Sequence, residues 1–351
     1  LNSNFEDWRR GNPDADIESF KFSPKKLNPA GSLFDYAKLV DVSKNVISRM
    51  GAEDVYAQLL EWAKEFDTDF AADMTIMEEA TEFLSRVKEG GALPLITSCS
   101  PGWVRYCETF HPDFLPNLSS CKSPQQMFGA LSKTYYAEKM GIDPRDIFCV
   151  SVMPCTAKKL EIGRGDQCAA GEGIPDVDVS ITTRELARMI HRSGLRFSDL
   201  PDEEFDPAMG EASGAGHIFG ATGGVMEAAL RTAYAYATGK APPDLLYDLQ
   251  PVRGLEGVKE ASLMVGGTQL NVAVVYGTAN AEHFLRRMAT AGKQYHFVEV
   301  MTCPGGCIGG GGQPRGTLEK GDALRAARID GLYRRDAAMT RRLSHENTEL
   351  Q

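Results

Sequence analysis

Residues 303–314 combine two thiols with a run of glycines. Cys303 and Cys307 are four positions apart, and four consecutive glycines follow at 309–312. Glycine reaches positive φ angles at little cost, so this segment can fold tightly around a bulky group and direct N–H donors at it. Thiolates are ligands for soft metals and iron–sulfur clusters. The segment therefore predicts a backbone cradle for an iron–sulfur cofactor, and a flexible linker with two incidental cysteines is the weaker interpretation.

Predicted strands end just before Cys99, Cys155 and Cys303. Open α/β sheets bind ligands beyond the carboxyl ends of their strands, so we expect these three thiols to converge. The chain has no CxxC motif, which argues against a bacterial ferredoxin run and a thioredoxin-type dithiol. The other cysteines are interpreted as core or surface residues: Cys107, Cys121, Cys149 and Cys168.

The composition of the 351-residue chain limits its possible partners. A hydrophobic fraction of 42% supports a sizeable core, and a net charge of -10 argues against a nucleic-acid partner. No run of about 18 apolar residues occurs, so we expect no membrane insertion. The first residues do not have the pattern of a signal peptide. Eight cysteines in such a chain indicate metal or redox chemistry rather than disulfides, and a cytoplasmic location.

Strands alternate with helices along the sequence, which predicts an α/β fold with largely parallel sheets. Residues 1–66 are expected to form an atypical amino-terminal arm that includes a helix over 52–66. A hairpin is predicted over 262–276, with its turn at Gly266 and Gly267.

A helix predicted over residues 74–88 carries two carboxylates on one face. Thr75 is its expected amino-terminal cap. Glu79 and Glu82 are three residues apart and therefore project together. From the local sequence alone they form either a functional pair or a solvated acidic face that pairs with Arg86.

Three long motifs resemble the signature motifs of the catalytic domain of [FeFe]-hydrogenases. They are residues 97–103 (TSCSPGW), 153–161 (MPCTAKKLE) and 299–314 (EVMTCPGGCIGGGGQP), and residues 216–227 and 344–347 also match the family. The resemblance runs from about residue 67 to residue 351. With it we expect two lobes, roughly 67–200 and 201–351, each a mostly parallel twisted sheet flanked by helices, with the metal site between them.

The resemblance implies a two-part cofactor, the H-cluster. Its parts are a cubane [4Fe-4S] cluster and a two-iron subcluster with CO, cyanide and a bridging azadithiolate. Cys155, Cys303 and Cys307 match ligands of the cubane, and Cys307 matches the ligand shared with the two-iron unit. Lys158 matches the lysine that binds a cyanide, and because an unpartnered buried ammonium would be costly, we expect a cyanide to explain its burial. Residues matching the walls of the two-iron pocket are Met153, Met301, Gln125 and Phe219.

The same resemblance implies a path for protons. Cys99 matches the thiol beside the open iron, which passes protons to the bridging amine. Ser119, Glu82 and Glu79 match the groups that carry protons between that thiol and solvent, and Arg86 lies near the outer end. Cys, Ser and Glu side chains can each give and accept a proton, as such a path requires.

The sequence departs from the family pattern at Ser100. The family usually has two adjacent cysteines here, and the second is the fourth cubane ligand, whereas this chain has Cys99 followed by Ser100. Either Ser100 binds iron through oxygen, or one iron carries water or another ligand. In a competing assignment, Cys99 is the cubane ligand and no proton-transferring thiol remains. An upstream strand that touches the two-iron unit in the family is not found in residues 1–66, and accessory cluster motifs are absent.

The resemblance implies an iron-only hydrogenase, an oxidoreductase that interconverts 2H⁺ + 2e⁻ and H₂. Electrons would come from ferredoxin, another redox carrier or a partner subunit, and maturation proteins would assemble the cofactor. The alternative is a non-catalytic relative, either a hydrogen sensor or an iron–sulfur assembly protein. Such relatives tend to lose the thiol, the lysine or the glutamates that this chain keeps. A nucleotide-binding enzyme is disfavoured, because the glycines at 214–220 do not fit the GxGxxG spacing.

Overall fold

The structure, a computed structural model, describes residues 8, 11–12, 69–196, 200–201, 209–290, 292–314, 316–317 and 320–350. Nearly all of these residues belong to one compact unit, which comprises Lys64–Arg188 and Pro201–Gln351. The predicted arm over 1–66, with its helix, lies outside the described residues apart from three isolated positions. None of the described helices is long and apolar enough to cross a membrane.

Helices and strands alternate through most of the described chain. The strands are β1 (Leu95–Ile96), β2 (Val150–Met153), β3 (Val179–Thr182), β4 (Val258–Val265), β5 (Thr268–Tyr276) and β6 (Phe297–Met301). The helices are α1 (Asp69–Glu89), α2 (Pro101–Phe110), α3 (Pro124–Leu131), α4 (Ala137–Met140), α5 (Lys158–Glu161), α6 (Thr183–Arg192), α7 (Gly214–Ile218), α8 (Gly224–Thr238), α9 (Thr278–Thr290) and α10 (Gly321–Ala338). This order confirms the predicted α/β class.

The strands form two separate sheets. In the larger sheet, in the order β1-β6-β5-β4, β6 is parallel to β1 and β5, while β4 and β5 form an antiparallel hairpin. The smaller sheet is the parallel pair β2-β3. Gly266 and Gly267 have φ angles of 57° and 87°, which favour glycine, so the predicted turn is confirmed. Because β1 pairs with β6, the larger sheet takes strands from both predicted lobes.

Helices cover both faces of the central strand β6. Phe297 packs on the side of α1 and α8, where its ring stacks on Phe83 with centroids 5.2 Å apart. Val298 packs on the opposite side, with Trp103 of α2 and Phe284 of α9. Neighbouring strand residues point to opposite faces, so β6 is apolar on both, as buried parallel strands are. This packing fixes the carboxyl end of β6, from which the chain enters the cysteine segment.

Helix α1 reaches further toward the amino terminus than predicted, since Asp69 already belongs to it. The cap predicted at Thr75 is wrong, because Thr75 lies inside the helix and its Oγ1 donates to Ala71 O at 2.9 Å. Phe70 and Ala72 are buried and extend the apolar face by a turn. Burial of these residues stabilises the first turn of the described helix.

A buried cluster of ions joins α8 to α10. The fully buried Arg231 lies 2.5 Å from a carboxylate oxygen of Glu227 and 2.9 Å from one of Asp336. Glu227 also pairs with Arg253, and Asp336 pairs with Arg342. Buried charges are tolerated when they are paired and hydrogen-bonded, as these are. The cluster therefore anchors the carboxy-terminal helix.

Replacing the central cation of this cluster should destabilise the protein. We expect Arg231→Met to lower the free energy of unfolding by about 3 kcal/mol, because two buried carboxylates then lose the charge between them. Urea unfolding followed by circular dichroism measures this loss. Arg334→Met is the matched control: its ion pair with Asp330 is 74% and 64% exposed, so its loss should be at most about 0.5 kcal/mol. Equal losses in the two variants would contradict the anchoring role.

Candidate functional site

The carboxyl ends of β1, β2 and β6 open onto one cavity of about 440 Å³. The lining includes ten of the fourteen site residues predicted from the sequence: Cys99, Ser100, Gln125, Met153, Cys155, Lys158, Phe219, Met301, Cys303 and Cys307. Residues from separate stretches of the sequence therefore meet in one place, which we call the thiol-lined cavity. The other four predicted residues, Glu79, Glu82, Arg86 and Ser119, are not part of its lining.

The glycine segment forms part of the cavity wall because its backbone packs against other backbone. The Gly312 N–H donates to Pro154 O at 2.8 Å, which joins this segment to the loop after β2. A Cβ atom on Gly310 would lie 2.1 Å from the same oxygen. Gly306 has a φ of 89°, and a Cβ there would lie 2.7 Å from Thr222 N. At these positions only glycine fits, so the segment packs as tightly as its glycines predict, and its role as a cradle for a cofactor stays a prediction.

Three thiols of the cavity interact electrostatically with one another. Burial raises the pKa of Cys303, with a contribution from Cys155, and a hydrogen bond from the Gly311 N–H offsets part of this rise. Burial raises the pKa of Cys307 to about 12, and although Lys158 lowers it, Cys155 and Cys303 raise it. The buried Cys303 and Cys307 thiols therefore hold their protons more tightly than free thiols do. Bound cations would favour their thiolate forms.

The arrangement of these donors fits a cluster better than a single ion. Among the described residues, no group of three His, Cys, Asp or Glu side chains meets at the spacing of one metal ion. Ligands of a four-iron cluster each bind a different iron, so they surround a volume rather than a point. Three soft sulfur donors around a cavity that also holds backbone N–H groups match that requirement.

Cys99 and Ser100 are adjacent but have different surroundings. Ser100 is the amino-terminal cap residue of α2 and has extended backbone angles, with φ −98° and ψ 102°. Its Oγ lies 2.8 Å from the Thr302 hydroxyl and accepts from the Thr302 N–H at 3.3 Å. Cys99 packs instead in an apolar cluster with Ile76 of α1 and Phe219. Burial, above all, and then the nearby Glu79 hold the pKa of Cys99 well above its usual range.

Lys158 has a carboxylate partner that the sequence analysis did not identify. Its Nζ lies 2.8 Å from Glu161 Oε2 and also donates to Cys99 O at 3.1 Å. Glu161 further accepts from Ser123 Oγ and Gln125 Nε2, at 2.8 and 2.9 Å. The expectation that this ammonium lacks a protein partner is therefore wrong, and its burial needs no ligand to explain it. The i,i+3 spacing within MPCTAKKLE was the available signal.

Glu79 and Glu82 both project from α1 but occupy different environments. Glu79 is fully buried, and neither of its carboxyl oxygens has a hydrogen-bond partner among the described residues. Burial, with smaller contributions from Glu82 and Glu299, raises the pKa of Glu79 to about 8, and Ser119 lowers it in part. Glu82 accepts from Ser119 Oγ at 3.0 Å and is held by Arg86 Nη2 at 2.6 Å. The solvated-face interpretation is thus wrong for Glu79.

Ser119 and Cys121 lead to a surface cleft of about 280 Å³. The Cys121 N–H donates to Ser119 Oγ at 3.2 Å, and its thiol lies 3.7 Å from Glu82 Oε2. The described structure therefore connects Glu82 and Ser119 to the exterior. Cys121 was interpreted as a core or surface residue, and only its closeness to Ser119 in sequence indicated a position beside this pair.

Glu299, in β6, is a further buried carboxylate near the cavity. It accepts from the Gly223 and Met226 N–H groups, at 2.7 and 2.8 Å, where α8 begins. Burial raises its pKa, and these hydrogen bonds together with Lys259 offset part of the rise. Its place within the motif at 299–314 was the only sequence signal, and no role was predicted for it. Its contacts lock the start of α8 onto the larger sheet.

Two neighbouring glycines provide a test of the cradle. We expect Gly310→Ala to lower the free energy of unfolding by at least about 2 kcal/mol, because the new Cβ would collide with Pro154 O. Gly311→Ala is the matched control, since its Cβ would lie 3.4 Å from the nearest atom, Thr156 Oγ1. Thermal unfolding by calorimetry compares the two variants. A Gly310→Ala protein as stable as Gly311→Ala would show that the segment does not pack as described.

Comparisons with known proteins agree with this geometry. The family model described as "Iron only hydrogenase large subunit, C-terminal domain" matches residues 45–311. Iron hydrogenase 1 of Clostridium pasteurianum is 49% identical over 331 residues, which are 93% of this chain and 56% of that protein. The structure of an apo [FeFe]-hydrogenase from Chlamydomonas reinhardtii matches with a TM-score of 0.70 and 42% identity, over 82% of this chain and 78% of that one.

A relative from another functional class also matches. The cytosolic Fe-S cluster assembly factor narfl of Xenopus tropicalis is 35% identical over 76% of this chain and 57% of its own length. The chain thus spans little more than half the length of these two curated relatives. The match to the family model covers most of the sequence, and the cavity holds the residues that the family motifs predicted. The chain therefore belongs to the iron-only hydrogenase large-subunit family.

Proposed function

We propose that this protein catalyses the reversible conversion of 2H⁺ + 2e⁻ to H₂ at an H-cluster. The observation that carries the proposal is the convergence of Cys155, Cys303 and Cys307 on one cavity, with Cys99 and Lys158 in the same wall. The 49% identity to a named iron hydrogenase supports the same activity. Electrons would come from ferredoxin, another redox carrier or a partner subunit, and maturation proteins would insert the cofactor.

The cavity residues would hold a [4Fe-4S] cluster joined to a two-iron unit that carries CO, cyanide and azadithiolate. Cys155, Cys303 and Cys307 would bind iron of the cubane, with Cys307 shared between the two parts. When bound, the cofactor supplies the electrons and the open iron at which hydrogen reacts. Lys158 would donate to a cyanide while Glu161 balances its charge, so the lysine is held in place before the cofactor arrives.

Polar and apolar walls have separate tasks in this proposal. Met153, Met301 and Phe219 line the cavity with apolar, polarizable surface that excludes water from the reacting groups. Gln125 is fixed from two sides: its Oε1 accepts from Ser151 Oγ at 2.6 Å, and its Nε2 donates to Glu161. A fixed amide presents one orientation to a bound ligand, so the amide need not rearrange when the ligand binds.

Four groups that can exchange protons are available for a route between the cavity and the surface. Cys99 faces the cavity, buried Glu79 lies close enough to raise the pKa of Cys99, and Ser119 lies between Glu79 and Glu82. Glu79 has a pKa of about 8 and so can both hold and release a proton near neutral pH. Arg86 fixes Glu82 beside the surface cleft. We propose that protons pass along Glu82, Ser119, Glu79 and Cys99.

The alternative is a non-catalytic relative, and the match to an iron–sulfur assembly factor gives it some support. Identity to that factor is 35%, against 49% for the hydrogenase. The side chains proposed to move protons are all present, and an assembly factor would have no use for them. Infrared spectroscopy of protein matured without oxygen separates the two functions. Bands from metal-bound CO and cyanide support catalysis, and their absence after maturation would favour the alternative.

Removing the thiol at the inner end of the path tests the proton route. We expect Cys99→Ala to lower the rate of H₂ production at least about 100-fold, since a positioned acid–base group is lost next to the reacting site. Iron content should not change. Cys168→Ala is the control, because that thiol donates to the Gly165 carbonyl of its own loop and does not line the cavity. Retention of most of the activity by Cys99→Ala would refute the assignment.

The raised pKa of Glu79 makes stability depend on pH. In the unfolded chain the Glu79 carboxyl loses its proton near the usual pKa of 4.5, whereas in the folded protein its pKa is about 8. The free energy of unfolding therefore falls as the pH rises between these two values. Glu79→Gln removes this dependence. In the protein without cofactor, we expect the free energy of unfolding of the wild type to fall by on the order of 4 kcal/mol more than that of the variant between about pH 5 and pH 9.

Denaturant unfolding at several pH values measures this difference. Glu78→Gln is the matched control, because Glu78 is adjacent on α1 but exposed, and its replacement should leave the pH dependence unchanged. A wild type and a Glu79→Gln variant with parallel pH profiles would mean that Glu79 is already ionised in the folded protein.

A further inference from the structure

We propose that Ser100 leaves one iron of the cubane without a protein ligand, and that this iron is exchangeable and is released on mild oxidation. The inference rests on the proposed function, since it requires a [4Fe-4S] cluster bound by Cys155, Cys303 and Cys307. It concerns the one position at which the donor set of this chain differs from four cysteines.

The geometry places Ser100 at the fourth position. Its backbone is extended, so its side chain and that of Cys99 point to opposite sides of the chain. The Ser100 side chain lies against Thr302, the residue immediately before Cys303. Cys99 is directed into the apolar cluster formed with α1 and α7. Ser100 is thus held against the residue that precedes Cys303, while Cys99, which also lines the cavity, packs toward α1 and α7.

The hydroxyl of Ser100 already has partners within the protein. It accepts from the Thr302 N–H and shares a second hydrogen bond with the Thr302 hydroxyl. Thr302 itself is held close to the backbone, since a Cβ on Gly102 would lie 2.8 Å from its Oγ1. A serine hydroxyl has one proton to donate and two lone pairs that can accept. The Thr302 N–H occupies one lone pair, and the Thr302 hydroxyl occupies either the proton or the other lone pair.

Binding iron would require Ser100 to give up this arrangement. The hydroxyl would have to lose a proton that an alcohol holds far more tightly than a thiol does, and cluster iron favours soft thiolate over hard oxygen. Among the described residues that line the cavity, the only thiol besides the three ligands is that of Cys99, which packs in the apolar cluster with Ile76 and Phe219. Water or a small added ligand is then the occupant of the fourth iron.

An iron held in this way is the first to leave. Oxidation by ferricyanide removes one electron from [4Fe-4S]²⁺; the bonds from the fourth iron to its three bridging sulfides break, Fe²⁺ departs, and [3Fe-4S]⁺ remains on Cys155, Cys303 and Cys307. Ferricyanide is reduced to ferrocyanide in the same step. Reduction of the three-iron cluster by one electron and binding of Fe²⁺ restores [4Fe-4S]²⁺.

The test uses the full chain produced without the maturation proteins and carrying only its reconstituted cubane. Iron per chain and the electron paramagnetic resonance signal are measured before and after ferricyanide for the wild type, Ser100→Cys and Ser98→Cys. Ser98 is the control because it precedes Cys99 in the same loop but does not line the cavity. We expect the wild type and Ser98→Cys to lose about one iron in four and to gain a three-iron signal, whereas Ser100→Cys keeps its iron.

A second measurement needs no variant at the cluster. Wild-type protein that has been oxidised and then supplied with dithionite and iron-57 should take up one labelled iron per chain, seen as a single site by Mössbauer spectroscopy. Label spread over all cluster sites would overturn the proposal. So would a wild type that keeps all its iron under conditions in which Cys99→Ala loses one, because Cys99 would then be the fourth ligand. A protein that forms no cluster at all would instead overturn the proposed function, and the inference with it.

Discussion

The hydrogen bond from the Gly312 N–H to Pro154 O is the contact on which the site depends. It joins the segment after β6 in the larger sheet to the loop after β2 in the smaller one. No hydrogen bond between strands connects these sheets in the described chain, so the packing of the two loops helps to bring their cysteines together. Gly310 is required at the same contact, since any side chain would separate the loops. The glycines thus allow cysteines that follow two separate strands to form one set of donors.

Buried charge around the cavity follows two different patterns. Lys158 and Glu161 form a pair that also takes hydrogen bonds from Ser123 and Gln125, which stabilises both charges and keeps them fixed. Glu79 has no such partner among the described residues, so it avoids charge by holding its proton. The first pattern suits a group that must orient a ligand without changing state. The second suits a group that must change its protonation state during turnover.

The sequence was sufficient for features that depend on the chain locally. Strand ends before Cys99, Cys155 and Cys303 were predictable from apolar runs followed by proline and glycine, and the turn at Gly266 was predictable from its residue type. The pairing of Ser100 with Thr302 was not predicted, because that contact depends on how the loops are placed in space. The pairing of Lys158 with Glu161 was also missed, although its i,i+3 spacing on one helix was visible in the sequence. The Thr75 cap failed for a related reason: tertiary burial of Phe70 overrides a local capping pattern.

Helix α1 links the stability of the fold to the proposed proton path. Ile76, Ala80 and Phe83 bury its apolar face, while Glu79 and Glu82, on the same helix, belong to the proposed proton path. An unpartnered buried carboxylate opposes folding, and the stacking of Phe83 on Phe297 of β6 offsets that penalty. The same strand, two residues further on, carries Glu299, which helps to raise the pKa of Glu79. A change in how α1 packs on β6 would therefore alter the proton affinity of the path together with the stability of the fold.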